Sequence, residues 1–312
     1  MAKIATREAY GKALAELGKV NDKIVVLDAD LSKSTKTADF GKEFPDRFIN
    51  MGIAEANMMG VAAGLSTCGK IPFVSSFAMF AAGRAFEQIR NSICYPRLNV
   101  KICATHAGLT VGEDGASHQA IEDLAIMRAI PNMTVISPAD AVETEAAIKA
   151  IAEYEGPCYV RLGRAAVNVI NDPATYKFEI GKGVELRDGN DVTIVATGIM
   201  VDEALVAQEA LNNDGISARV INIHTLKPLD VNLLVKAAKE TKAIVTVEEH
   251  NIIGGLGSAV SEALSEECLV PVVKVGVRDT FGESGKPNEL LKAYGLTSGN
   301  IVEAVKKAIS LK

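Results

Sequence analysis

The stretch Val100-Lys101-Ile102-Cys103-Ala104-Thr105 runs directly into His106-Ala107-Gly108-Leu109-Thr110-Val111-Gly112-Glu113-Asp114-Gly115-Ala116-Ser117-His118-Gln119. Its opening is a short, mostly apolar run of strand length, and its remainder is a glycine-rich loop. Runs of the first kind recur along the chain and alternate with helix-length amphipathic stretches, the pattern of parallel strands joined by crossover helices. The sequence therefore predicts an α/β fold of doubly wound sheets. In such sheets ligands gather beyond the carboxyl ends of strands, where this loop falls.

Working outward, further strands are expected at 23–28, 71–75, 133–137 and 158–162, with helices at 55–66, 78–93 and 139–152 that carry apolar residues three and four apart. Beyond Ala165 the rhythm fades and Asn, Asp, Pro, Lys and Gly accumulate, as in a domain connection. A second series follows, with strands at 192–196, 218–223, 243–248 and 270–275 and helices at 201–211, 231–240 and 256–264, and helix-forming sequence at 288–311. The reading is two doubly wound domains, residues 1–165 and 191–312, joined by a linker at 166–190. No fixed-period repeat or low-complexity tract is present.

With 312 residues, 48% of them hydrophobic, the chain can bury a sizeable core, which excludes disorder and small stapled folds. A formal net charge of -6 and the lack of a basic stripe make nucleic acid an unexpected partner. The first seven residues lack the features of a signal peptide, and no apolar run reaches the ~18 residues of a membrane span, so no membrane partner and a cytoplasmic location are expected. Cys68, Cys94, Cys103, Cys158 and Cys268 are scattered without C-x-x-C spacing, and read as small apolar residues.

Three strand-end constellations could carry chemistry. Asp28-Ala29-Asp30-Leu31-Ser32-Lys33-Ser34 offers two carboxylates and two hydroxyls, able to orient a ligand or to cap the next element. In Ile53-Ala54-Glu55-Ala56-Asn57-Met58-Met59-Gly60, Glu55 opens a helix that is apolar nearly all round. A carboxylate in such a helix is buried and needs a partner or a proton, and it could share that proton with a nitrogen base of a ligand, although helix-end electrostatics also favours an acid there. The third is the glycine-rich loop, which holds His106 and His118 among flanking acids. Acid–base work is one reading, and a metal site on His106, Asp114 and His118 another, although the spacing matches no compact metal signature. Phe77 and Phe80 share a helix face, as core residues do or as a wall against a planar ring. Gly255-Leu256-Gly257 resembles half a dinucleotide fingerprint, or reflects close helix packing, while His224 and His250 read as structural or interfacial. There is no nucleophile elbow and no P-loop.

Taken together, Gly52-Ile53-Ala54-Glu55, Ser76-Phe77-Ala78-Met79-Phe80, Thr105-His106, Gly112-Glu113-Asp114-Gly115-Ala116-Ser117-His118-Gln119 and Pro131-Asn132-Met133 resemble the transketolase family of thiamine diphosphate enzymes. The resemblance covers the carboxy-terminal half of a full-length transketolase, a pyrimidine-binding domain followed by the C-terminal domain. The family's diphosphate and magnesium site uses Gly-Asp-Gly, which is absent here. The resemblance thus implies a split enzyme, with the amino-terminal half on a partner subunit that holds most of the magnesium and diphosphate contacts, in a heterotetramer of two chains of each kind. It assigns no metal ligand to this chain.

The resemblance further implies that Glu55 bonds the aminopyrimidine of thiamine diphosphate and that Phe77 and Phe80 wall it, with Asp30 as a cofactor-side acid. Gly83 stands where some relatives carry a further aromatic. It places His106, Asp114 and His118 against the sugar, the two histidines assisting proton movements, and Arg7, Ser34 and Arg164 at its phosphate. The implied reaction moves a two-carbon ketol unit from a ketose phosphate to an aldose phosphate. Related readings are a 1-deoxyxylulose 5-phosphate synthase-like enzyme, disfavoured by His106 after Thr105, the beta subunit of a 2-oxo-acid dehydrogenase, which lacks the Gly112–His118 pattern, and a non-catalytic homologue.

Overall fold

The computed structural model describes residues 3–312. A seven-stranded sheet runs in the order Thr225–Lys227, Thr134–Ile136, Cys158–Arg161, Lys101–Ala104, Ile71–Ser75, Ile24–Asp28, Phe48–Asn50, parallel throughout except for the first. Alternation along Ile24–Asp28 shows why it is covered on both faces. Ile24 and Val26 pack with Tyr10, Leu14 and Phe40, whereas Val25 and Leu27 belong to the core of Met58, Met59 and Ile89.

The second sheet has the order Val272–Val277, Ile244–Asn251, Val192–Ala196, Ala218–Asn222, Val184–Arg187, with only the last strand antiparallel. The α/β architecture expected from the sequence is present in both halves. The cores meet: Val195, Ile221 and Leu234 join the apolar cluster that contains Leu27 and Tyr159. Two caps help to lock the join. Asp140 accepts the Glu143 N–H at 2.8 Å at the start of helix Ala141–Glu153, and Glu143 returns an acceptor to the Ala139 N–H at 2.6 Å while also binding Asn222 of the second half.

Several elements differ from the sequence reading. Lys3–Ala5 pairs antiparallel with Ala166–Asn168 and leads into helix Thr6–Val20. The stretch 166–190 therefore contains that strand and Val184–Arg187 of the second sheet, both short edge strands with too few residues to show a period. The expected helix at 78–93 winds as π-helix over Met79–Arg84 and Ile89–Cys94 around a short α turn, a form often associated with functional sites. The last helical stretch is two helices, Pro287–Ala293 and Ser298–Ser310, parted at Gly295 with φ +70. Helix Glu55–Thr67, apolar nearly all round, is nevertheless open along Asn57, Gly60 and Gly64, because no element among the described residues covers that face.

Cys94, Cys103 and Cys158 are free and buried, and burial lifts the Cys94 thiol to about 12 and that of Cys158 to about 11, as inert packing residues require. Among the described residues no helix is long and apolar enough to cross a membrane.

Candidate functional site

The chemistry-bearing side chains collect beyond the carboxyl ends of the first sheet's strands. Glu55 is the first residue of its helix and is 3% exposed. Its Oε1 accepts the Ser76 hydroxyl at 3.2 Å, and both carboxylate oxygens lie 3.4 Å from Nη1 of Arg84. The partner that a buried carboxylate requires is thus Arg84, which the sequence reading missed. Arg84 also covers the ring of Phe80, with its guanidinium carbon 4.2 Å from the ring centroid. Its place four residues after Phe80 was a visible signal, but its pairing with Glu55 across 29 positions was not.

Phe77 and Phe80 stack with centroids 6.0 Å apart and planes 15° from parallel. Phe77 then stacks on the His106 imidazole at 3.7 Å, and Phe80 meets His118 edge-on at 5.3 Å. One continuous aromatic surface therefore runs from beside Glu55 to both loop histidines. Phe77 is buried and Phe80 half-buried, so the pair does more than fill a core.

His106 is 3% exposed and held at φ +57, in the left-handed region. Its Nε2 lies 3.2 Å from Arg7 Nη1, and its Nδ1 is 2.9 Å from the Thr105 hydroxyl. An arginine can only donate, so Nε2 carries the lone pair and Nδ1 the proton, directed at Thr105. Burial, reinforced by Arg7, Arg164 and His118, pushes the imidazole down to about 3 and keeps it neutral.

Arg7 and Arg164 are brought together by the small antiparallel ribbon. Ala5 stands opposite Ala166, and the Gly163 N–H donates to Thr6 Oγ1 at 2.7 Å, which sets the two arginines across from one another just past the same end of the ladder. Arg7 donates to the Ser34 carbonyl at 2.8 Å, while its buried Nε has no partner among the described residues. Burial, with Arg164 nearby, lowers the Arg7 pKa from its ordinary value. Arg164 bonds the Val111 carbonyl and approaches Glu113 and Asp114 at 3.6 and 3.8 Å. Asp114 is exposed and turned to Arg164, so no histidine–aspartate pair forms with His106, and His118 has Ser117 Oγ at 3.0 Å from Nδ1. Among the described residues no group of three or more His, Cys, Asp and Glu is gathered as for a metal ion.

Asp30 is exposed at φ +64 and accepts from the Asn50 amide at 3.1 Å, on the rim next to the strand that leads to Glu55. Asp28 is the capping acid of that segment: fully buried, it accepts from Leu31 N–H, Thr35 Oγ1 and Thr37 Oγ1 at 2.6 to 2.8 Å. Gly255 and Gly257 serve packing. The Leu256 and Gly257 N–H groups each bond the buried Glu248 carboxylate at 2.7 Å, and a Cβ on Gly255 would stand 2.0 Å from it. His224 packs tilted against the ring of Phe178 and His250 bonds the Asn251 carbonyl, and burial pushes each imidazole down to about 4.

Two doubly wound units, the first ending its strands in a buried acid, an aromatic surface and two arginines, define an α/β chain with its candidate site at the carboxyl ends of the first sheet. Comparison with known proteins fixes the family. The family described as "Transketolase, pyrimidine binding domain" matches residues 2–169, and "Transketolase, C-terminal domain" matches residues 181–301. The chain belongs to the transketolase family. Within it, the chain is homologous to subunits of split transketolases. A solved structure titled "Split gene transketolase, inactive beta4 tetramer" is 65% identical with a TM-score of 0.93, covering 99% of each chain. The 6-deoxy-6-sulfo-D-fructose transketolase subunit SqwH of Clostridium sp. is 46% identical over 307 residues, 98% of this chain and 95% of that protein. The transketolase of Mus musculus is 44% identical over 312 residues, and the match spans 99% of this chain but 49% of the mouse protein.

Proposed function

We propose that this chain is the C-terminal, pyrimidine-binding subunit of a two-chain transketolase, active with an N-terminal partner that carries the diphosphate-binding domain. The assembly is a heterotetramer of two chains of each kind, and it transfers a two-carbon ketol unit from a ketose phosphate to an aldose phosphate. The observation that carries the reading is the unbroken path from buried Glu55 over Phe80 and Phe77 to His106 and His118, flanked by Arg7 and Arg164. The domain bounds proposed above accompany it, with the second unit's sheet taking in Val184–Arg187 as well.

The residues present fit the pyrimidine end of thiamine diphosphate. A carboxyl group at a helix start complements a ring nitrogen, and an aromatic face complements a planar heterocycle. Asp30 stands on the rim of that pocket. The magnesium and diphosphate contacts fall to the partner in this reading, since magnesium is held by oxygen ligands together with the phosphates themselves. When bound, the cofactor supplies the electron sink for the ketol unit.

This chain's part is binding and proton management. Glu55 holds or yields a proton at its carboxylate, in exchange for its present contacts with Ser76 and Arg84. His106 is neutral and presents a hydrogen-bond acceptor at Nε2, open to a sugar hydroxyl once Arg7 turns to an incoming anion, and His118 lies on the same aromatic surface. The unpartnered Nε of Arg7, with Arg164 and Ser34, suits a phosphate oxygen, and Asp114 suits a sugar hydroxyl. A sulfonate would meet the same arginines, which makes sulfo-sugar transfer, the activity in SqwH's name, the second reading. The open Gly60–Gly64 face beside Glu55 and the exposed Ile53 supply surface for the partner. Unpaired cysteines agree with a reducing, cytoplasmic location.

Glu55→Ala, reconstituted with the partner, tests the reading. Ketol transfer should fall by about 10²-fold or more. Unchanged transfer would remove Glu55 from the chemistry.

A further inference from the structure

The second half of the chain reaches behind the substrate loop. Glu249, on strand Ile244–Asn251, is 3% exposed, and its Oε1 accepts the Thr110 N–H at 2.6 Å across 139 positions. The approach depends on glycine: a Cβ at Gly108, which sits at φ +82, would stand 2.3 Å from Oε2 of Glu249. Gly108 lies two residues after His106, so the carboxylate is seated against the backbone that aims that imidazole.

The seat itself is fixed. Arg161 donates to the Glu249 carbonyl at 2.9 Å and to the Ala120 carbonyl at 3.1 Å, and the latter also receives the Gly108 N–H at 2.8 Å. At the far end of the loop, Gln119 Nε2 bonds the Leu109 carbonyl at 3.2 Å and the Glu283 carbonyl at 2.9 Å, and a Cβ on Gly115 would stand 2.5 Å from Ser284 Oγ. Burial lifts the Glu249 carboxyl to about 7, opposed by Arg161 and the Thr110 N–H. Such a group is costly to keep unless its acceptor is needed.

We propose that Glu249 is a positioning residue of the reaction, through which the C-terminal half sets the placement of His106 and the Gly112–His118 loop against the sugar. It touches neither cofactor nor substrate. The proposal rests on the transketolase reading only for the identity of the sugar.

The test uses Glu249→Ala and Glu249→Gln in this chain. Gln keeps a carbonyl oxygen for the Thr110 N–H, and Ala removes it. In the chain alone, hydrogen exchange of peptides spanning 106–119 should quicken about tenfold or more in E249A, with peptides elsewhere little changed, and return to wild type in E249Q. In the reconstituted pair, E249A should raise KM for the ketose phosphate about tenfold while leaving the affinity for thiamine diphosphate within about twofold, and E249Q should restore KM. Should E249A not fold, Glu249→Asp, which keeps the charge but withdraws it by one methylene, replaces it with the same expected direction. An unchanged KM, equal damage from Ala and Gln, or exchange that quickens evenly over the whole chain would overturn the proposal. An inactive wild-type pair would count against the transketolase reading and leave the exchange result to decide this one.

Discussion

Replacing Arg161 by Met removes one half of a buried ion pair while keeping most of the side chain's length. Arg161 is 7% exposed and its Nε lies 2.9 and 3.1 Å from the two oxygens of Asp123, which also receives the Tyr159 hydroxyl at 2.8 Å. In Arg161→Met the Asp123 carboxylate is left buried without its cation, and the Ala120 and Glu249 carbonyls lose a donor. Breaking such a pair from one side costs about 3–5 kcal/mol. At about 2–4 °C per kcal/mol for a unit of this size, the melting temperature should fall by about 10 °C, with a matching shift of the urea midpoint at unchanged slope. The double variant Arg161→Met/Asp123→Leu removes both charges of the pair and should recover at least half of the loss. Melting of wild type, both single variants and the double variant by circular dichroism reads all the terms. A fall of less than about 2 °C in Arg161→Met, or a double variant as unstable as the sum of the singles, would refute the account of Arg161 and Asp123 as a coupled buried ion pair.

Other outcomes follow from the same geometry. His106 is held at about 3 against an ordinary 6.5, so the stability it contributes above pH 6.5 is lost as pH falls towards 3, because the unfolded chain takes up a proton the folded one refuses. His106→Asn should remove about 2 kcal/mol of that loss at pH 5, seen as a flatter acid limb in a melting-versus-pH series; identical limbs would contradict a buried neutral imidazole. Gly60→Leu and Gly64→Leu meet nothing within 4 Å, so the isolated chain should melt at or above the wild-type temperature while binding to the partner weakens, as calorimetry would show; unimpaired binding would place the partner elsewhere. Arg164→Ala should raise KM for phosphorylated acceptors more than for unphosphorylated ones, and equal effects would count against a phosphate contact.

Much of the first sheet was legible because parallel strands covered on both faces are continuous apolar runs, as in Ile71–Ser75, whose bounds the sequence anticipated. Short edge strands were not legible: Phe48–Asn50 and Thr225–Lys227 are three residues long, below any detectable period, and the second pairs with a sheet built by the other half of the chain. The same division holds at the site. Motif order brought Glu55, Phe77, Phe80, His106 and His118 to notice, and the structure gathers them into one surface. The pairing of Arg84 with Glu55 and the Glu249 brace depend on packing between distant segments, which no local pattern announces. Asp114 faces Arg164 in place of a histidine, a choice set by the Arg164 bond to Val111.

The most direct test of the central claim is a coupled ketol-transfer assay with xylulose 5-phosphate and ribose 5-phosphate, thiamine diphosphate and magnesium. It compares this chain alone with this chain plus its candidate N-terminal partner. Transfer is expected in the mixture and none from this chain alone. Silence from a mixture in which both chains are folded and bound to one another, with a sulfo-sugar donor as well as the phosphate, would contradict it.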